Sequence, residues 1–168
     1  MGTNINEVTS ADSECHSEVI MNALRKIVQV LRHSSTQCEM MSGLTGAQFF
    51  VLKLIGSNDG LSVNELAMRT CTHQSTVSEV VSRLEAKQLV QRHKSTSDGR
   101  RTEIYITSAG KEKLLVGFMT AQEYLMQAIR TFSPEKSFHL AQLLNELVQT
   151  ADFSNQKPNL FFEDNHVS

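Results

Sequence analysis

The segment from His73 to Leu84 combines an apolar stripe with a polar face, both at the spacing of a single helix. Because such a stripe packs against a core, the polar face turns outward. Amide, hydroxyl and carboxylate groups there can pair with base edges in the major groove or with phosphates. The stripe comprises Val77, Val80, Val81 and Leu84, and the polar face comprises His73, Gln74, Ser75, Thr76, Ser78, Glu79 and Arg83.

A second group of candidate residues surrounds the turn composition Ser97-Asp98-Gly99. Arg100 and Arg101 come at or just past this turn, and arginines at such a tip can enter a narrow minor groove, where the negative potential is enhanced. Arg92 and Lys94 precede it and are expected to face phosphate. A simple turn residue is the alternative for Asp98, and a surface charge beside the strand is the alternative for Arg101.

The charge distribution supports an anion-binding face in the same region. The whole chain has a net charge of −2, which by itself favours no polyanionic partner. Residues 69–101, however, hold seven basic and three acidic side chains, a local charge of +4 that leaves −6 for the rest. A basic segment in an acidic protein is typical of a localised anion-binding surface, although a chance cluster on a solvated face is equally consistent with charge alone.

Helix-start patterns place these residues on short elements. A helix is predicted from Ser17 to about Met41, where apolar residues recur at helical spacing. Thr45 with Gln48, and Ser62 with Glu65, form capping boxes that predict helices over about 45–56 and 62–70. The next helix follows after a short link, which makes a helix-turn-helix, and Thr72 is an alternative cap for it.

The pattern then changes to strand alternation. Residues 89–94 and 102–107 predict two strands of a hairpin, which in this order is the wing of a winged helix-turn-helix. Helical spacing resumes over about 108–130, and Ser133-Pro134 starts a last helix. The predicted fold is therefore mainly α with a small β-hairpin wing, a winged helix-turn-helix plus a helical dimerisation region.

Several other classes of protein lack support in the sequence. The three cysteines, Cys15, Cys38 and Cys71, have no metal-ligand spacing, and no nucleophile–base motif or phosphate-binding glycine loop is present. No cofactor, metal or catalytic residue is therefore expected. No apolar run approaches the length of a membrane span, and residues 1–17 lack the apolar stretch of a signal peptide, so a cytoplasmic protein without a membrane partner is expected.

Residues 44–115 resemble the MarR family of bacterial transcription regulators. The specific part combines Ser75-Thr76-Val77, Arg83-Leu84-Glu85, the Asp-Gly-Arg-Arg run at 98–101 and a Thr-x-x-Gly pattern at 107–110, in this order and spacing. The resemblance makes Arg100 the residue that enters the minor groove, with Asp98 orienting its guanidinium. His73-Gln74 departs from the Thr-Pro or Ser-Pro pair that is usual before the Ser-Thr-Val motif.

The resemblance also implies a homodimer on a symmetric site in double-stranded DNA, often released by a small-molecule effector. The predicted function is accordingly a DNA-binding transcription regulator, expected to be a repressor. The alternatives are a winged-helix module for protein interaction without DNA binding, and an oxidant sensor that uses a cysteine. The expected organisation is a flexible N-terminus (1–16), a dimerisation helix (17–43), a DNA-binding lobe (44–107), C-terminal dimerisation helices (108–151) and a flexible tail (152–168).

Overall fold

The computed structural model describes residues 5–95, 100–155 and 160, with side chains from residue 16 onward. Helices dominate, and one antiparallel hairpin lies between the fourth and fifth of them, which confirms the predicted fold class. The elements are α1 (Ile5–Ser42), α2 (Gly46–Ser57), α3 (Val63–Thr70), α4 (Gln74–Ala86), β1 (Val90–Lys94), β2 (Thr102–Ile106), α5 (Ser108–Leu114), α6 (Ala121–Arg130) and α7 (Pro134–Thr150).

The predicted helix starts are present as hydrogen bonds. The Ser62 side chain accepts from the Glu65 N–H, and the Glu65 carboxylate accepts from the Ser62 N–H at 2.8 Å, a complete capping box. Thr45 accepts from the Gln48 N–H at 3.2 Å. The return half of that box is missing, because the buried Gln48 Oε1 has no hydrogen-bond partner among the described residues. Ser133 caps α7, with proline at its first position, as predicted.

The core encloses α2 and is closed by α3, α4 and the hairpin. The apolar stripe predicted for α4 is fully buried, since none of its four side chains has measurable exposure. Ile104 of β2 is likewise buried, and its N–H donates to the Leu61 carbonyl at 2.9 Å, which attaches the hairpin to the segment before α3. The helix-turn-helix and the wing therefore form one packed lobe. Its largest buried side chains include Phe49, Leu52, Ile55, Leu66, Val77, Val80, Leu84 and Ile104.

Two helices differ from their predicted extents. α1 begins at Ile5 rather than near Ser17. The helix predicted over 108–130 is divided, with α5 ending at Leu114 and α6 beginning at Ala121. Gly117 between them has a φ of +65°, which an α-helix does not accommodate, and Thr120 then starts α6 with a capping box.

The hairpin is regular over the described part of its strands. Val90 pairs with Ile106 and Lys94 pairs with Thr102 in an antiparallel register. The Ser95 N–H donates to the Arg101 carbonyl at 2.8 Å and extends the pairing towards the tip. Among the described residues, no helix is both long enough and apolar enough to cross a membrane.

Candidate nucleic-acid interface

The turn between α3 and α4 has a left-handed residue at its centre. Cys71 ends α3 with φ 52° and ψ 43°, and the Thr72 N–H donates to the Ala67 carbonyl at 3.0 Å. His73 is the cap of α4 but makes no side-chain capping bond. The alternative that Thr72 caps this helix is wrong, because its hydroxyl donates back to the Thr70 carbonyl. The start of α4 is therefore set by the backbone turn and by burial of its stripe.

Most of the polar face predicted for α4 lies on the outside. His73, Gln74, Ser75 and Glu79 are exposed, whereas Ser78 and Arg83 are half-buried. Thr76 is the exception, since only 7% of its surface is exposed. Thr76 precedes Val80 by four residues and so falls on the same side of the helix as the buried stripe. Its predicted place on the outward face is wrong.

Arg92 connects the hairpin to the second half of α4. Its Nη2 donates to the Ser82 hydroxyl at 3.0 Å, and its Nε lies 3.6 Å from a Glu85 carboxylate oxygen. Part of this guanidinium is thus occupied within the protein, although the side chain keeps about a third of its exposure. The contact places β1 beside the outward face of α4. Lys94, at the end of the same strand, is exposed.

Arg101 is engaged by acceptors of the protein itself. Its Nη2 donates to both carboxylate oxygens of Glu65, at 2.9 and 3.1 Å, and to the Gly60 carbonyl at 3.2 Å. Its Nε lies 3.6 Å from Glu103 Oε1. The Arg101 side chain is nevertheless 42% exposed, so its contact with an external partner stays a prediction, although the guanidinium points back to the start of α3.

The described part of the hairpin tip includes Arg100. Arg100 is exposed. Asp98 lies outside the described residues, so its pairing with Arg100 stays a prediction. Together, the outward side of α4, the exposed Lys94 and the exposed Arg100 are the candidate interface.

The two carboxylates that face Arg101 are stabilised in their charged forms. The Ser62 N–H and hydroxyl donate to Glu65, and with Arg101 they lower the pKa of its carboxyl below the ordinary value. The hydroxyls of Ser95 and Tyr105 lower the pKa of Glu103 in the same way. Because its hydroxyl donates to Glu103, Tyr105 has a raised pKa. Both carboxylates therefore remain anionic partners of Arg101 at neutral pH.

The described cysteine side chains do not form a metal or disulfide site. Cys38 is buried, its Sγ lies 3.7 Å from the Ser42 hydroxyl, and burial raises the pKa of its thiol. Such a thiol has a small thiolate fraction and packs as a small apolar side chain. Cys71 is exposed in the turn before α4. No group of three metal-ligating side chains occurs in the part of the chain that the structure describes.

The chain is similar in sequence to known proteins. The sequence profile of the MarR family matches residues 44–102. The HTH-type transcriptional repressor MdtR of Bacillus subtilis is 26% identical over 141 residues, covering 84% of this chain and 90% of MdtR. The HTH-type transcriptional regulator FarR of Neisseria gonorrhoeae is 30% identical over 115 residues, covering 68% of this chain and 78% of FarR.

A solved structure supports the fold. The crystal structure of MarR aligns with 80% of this chain and 98% of its own, with a TM-score of 0.51 and 20% identity. That identity is low, so this likeness bears on the fold alone. The profile match covers the helix-turn-helix and the hairpin up to Thr102, and the relatives are transcription regulators rather than enzymes. The chain belongs to the MarR family of transcription regulators.

Proposed function

We propose that this chain is a repressor that binds a pseudo-palindromic site in double-stranded DNA as a homodimer and is released by a small-molecule effector. The observation that carries the proposal is the division of α4 into a buried apolar stripe and an exposed polar side adjoining a basic hairpin. A protein-docking face would instead be expected to expose aromatic and aliphatic anchors. MdtR, a relative of this chain, is named as a repressor.

The exposed residues of α4 have the chemistry for base contacts. Gln74 lies in the first turn, where helix-turn-helix proteins contact base edges, and its amide can pair with adenine. Glu79 can accept from the amino group of cytosine. Ser75 and the amides at the start of the helix suit phosphate oxygens. Arg83, further along the helix, is assigned to the phosphate backbone.

The hairpin supplies the second contact of the proposed complex. Arg100 is exposed at the tip and is the side chain assigned to the minor groove. Lys94 is exposed at the end of β1 and is assigned to phosphate. Arg92 keeps enough exposure for a phosphate contact as well, while its bond to Ser82 holds the strand beside α4.

Uncovered apolar faces support the homodimer. None of the 17 residues of α7 is buried in the single chain, although the helix has an apolar side. Large apolar side chains are also exposed on α1 and α6. Helices with such faces need a covering partner. We assign residues 17–43 and 108–151 to this contact and 44–107 to the DNA-binding lobe. The exposed apolar residues include Val19, Ile20, Ile27, Val28, Ile129, Phe138, Leu143, Leu144 and Leu147.

A groove of about 820 Å³ supports release by an effector. It lies between α1, α6, α7 and the residues 70–73 that form the turn before α4, and most of its lining is apolar. Ile20, Ile129 and Leu144 line it, so the groove borders the surface assigned to the dimer contact. This volume is in the range of small-molecule sites. A ligand there would contact Cys71, Thr72 and His73 in the turn before α4. A shift of this turn would therefore move α4 directly.

Binding to duplex DNA at several salt concentrations tests the proposal. Arg100→Ala should weaken binding by roughly tenfold or more, since loss of a base-contacting arginine costs on the order of 1–3 kcal/mol. Lys94→Ala should instead weaken binding uniformly across sequences and reduce the slope of log affinity against log salt by about 1.

The same assay separates the alternative function. Failure of the wild-type protein to retain any duplex in a gel-shift assay against random DNA would favour a protein-interaction module. Unchanged affinity for Arg100→Ala would remove the hairpin from the proposed interface.

A further inference from the structure

Three separate parts of the chain converge on the Arg101 guanidinium. The Gly60 carbonyl comes from the turn before α3, Glu65 comes from the first turn of α3, and Glu103 comes from β2. Arg101 itself is adjacent to the exposed Arg100. Its guanidinium therefore connects the tip end of the hairpin to the first helix of the helix-turn-helix.

The acceptors of this cluster are themselves held in place. Glu65 accepts from the Ser62 N–H and from the Ser62 hydroxyl, both at 2.8 Å, so the capping box fixes its carboxylate. Glu103 accepts from the Tyr105 hydroxyl at 2.8 Å. A carboxylate oriented in this way holds a planar guanidinium more tightly than a mobile surface carboxylate does, because less side-chain freedom is lost on pairing.

The turn beside the cluster has little spare room. Gly60 has a φ of +78°, and a Cβ at this position would lie 3.0 Å from the Tyr105 hydroxyl oxygen. The Arg101 carbonyl accepts from the Ser95 N–H at 2.8 Å, so the backbone of this residue is held as well as its side chain. The backbone next to Arg100 is therefore held at a fixed point at the tip end of the hairpin.

We infer that Arg101 is a positioning residue: by pairing with Glu65 and Glu103 it sets the place from which Arg100 reaches the minor groove, and it makes no contact with DNA itself. The inference rests on the proposed function. Its basis is that Nη2 and Nε of the guanidinium face Gly60, Glu65 and Glu103, so that a phosphate on this side would have to displace these acceptors. Exposed ion pairs add little to global stability, so the effect is expected in DNA binding rather than in folding.

Glu65→Gln gives a test, because a purely electrostatic effect and the positioning hypothesis predict different changes in DNA affinity. Removing a negative charge near a DNA-binding face should by electrostatics alone leave affinity unchanged or raise it. The positioning hypothesis predicts weaker binding, because Arg101 loses its charged partner. Glu112→Gln, which removes an exposed carboxylate from α5, is the matched control and should not weaken binding.

A double-mutant cycle tests whether Arg101 acts through Arg100. The probe is a duplex of roughly 30 base pairs, room for two half-sites, enriched from a random pool by the wild-type protein. Arg101→Gln should weaken binding about tenfold in the wild-type background and less than about twofold in Arg100→Ala. Hydroxyl-radical footprints should lose protection in the minor groove while keeping it around the α4 contact.

The outcomes separate this inference from the proposed function. If no duplex is enriched, the proposed function fails and this inference with it. If the wild type binds but the Arg101→Gln and Arg100→Ala effects multiply in full, or Glu65→Gln leaves the affinity unchanged or raises it, the positioning inference is overturned. A cooperative thermal unfolding transition shows that a variant is folded. If Arg101→Gln does not fold, the DNA affinity of Glu65→Gln tests the inference instead.

Discussion

At the residue scale, the packing around Gly110 explains why the Thr-x-x-Gly pattern at 107–110 ends in glycine. The Thr107 hydroxyl donates to the Gln88 carbonyl at 2.8 Å and accepts from the Gly110 N–H at 3.1 Å. This brings the first turn of α5 against the segment before β1. A Cβ on Gly110 would lie 2.2 Å from the Leu89 carbonyl oxygen and 2.7 Å from Ile106 Cγ1. The position therefore requires glycine for space, not for backbone conformation.

Gly110→Ala should consequently destabilise the lobe. Alanine forms helices better than glycine by about 1 kcal/mol, but the clash with a backbone carbonyl forces the two segments apart. We expect a net loss of about 1–3 kcal/mol in the free energy of unfolding, measured by urea denaturation. Gly46→Ala is the control, since its new methyl group would meet Ser35 at ordinary contact distances of 3.5–3.6 Å. Equal stabilities for the two variants would contradict the close approach at Gly110.

At the element scale, α3 is short, so its stability depends strongly on its capping box. The helix has eight residues, and Glu65 both closes the box and binds Arg101. Isolated helices of this length are marginal, so the cap and the packing against the core keep α3 in place. A change at Ser62 or Glu65 therefore affects the wing as well as the helix.

The stabilising effect of Glu65 should depend on pH. The pKa of its carboxyl is lower in the folded chain than in the unfolded one. Its contribution is thus complete above the unfolded pKa and is lost as the pH falls through the lower folded pKa. Glu65→Gln should cost less than about 1 kcal/mol at pH 7, the range for a partly exposed ion pair, because glutamine can still complete the capping box, and progressively less in acid.

Chemical denaturation of both proteins from pH 7 to about 3 gives this comparison, since the range brackets an ordinary glutamate pKa. Ser62→Ala removes the hydroxyl partner of the same carboxylate. It should likewise make the free energy of unfolding less dependent on pH over this range. A cost of Glu65→Gln that stays constant over this range would contradict the pairing.

At the scale of the whole molecule, the single chain leaves a large apolar surface uncovered. Leu144 on α7 is 45% exposed in the single chain. In the proposed homodimer this helix is covered by the partner. Leu144→Glu should therefore shift the molecular mass in solution from twice the 18.8 kDa of one chain towards one, because a charge would be buried without a partner.

Light scattering coupled to size exclusion measures the mass directly. Gln142→Glu, on the same helix, adds an equal charge and should leave the dimer intact. A monomeric wild-type protein would exclude the dimer, and a dimeric Leu144→Glu variant would place the contact away from this part of α7.

Local patterns in the sequence were sufficient for most of the elements. Capping residues and the periodicity of apolar residues predicted α2, α3, α4, α7 and both strands, because these features act within a few residues along the chain. The break between α5 and α6 was missed, although Thr120 and Glu123 carry the same capping pattern that located α3. The burial of Thr76 was also predictable from its spacing to Val80.

The sequence by itself therefore determined the order of elements, the buried stripe of α4 and the resemblance to a family of regulators. Only the tertiary structure decided that Arg101 pairs with Glu65 and Glu103. Glu65 and Arg101 are 36 residues apart, and they meet because the hairpin packs against the start of α3. Periodicity reports which face of an element is buried, but it carries no information on which charged groups of different elements come within hydrogen-bonding distance.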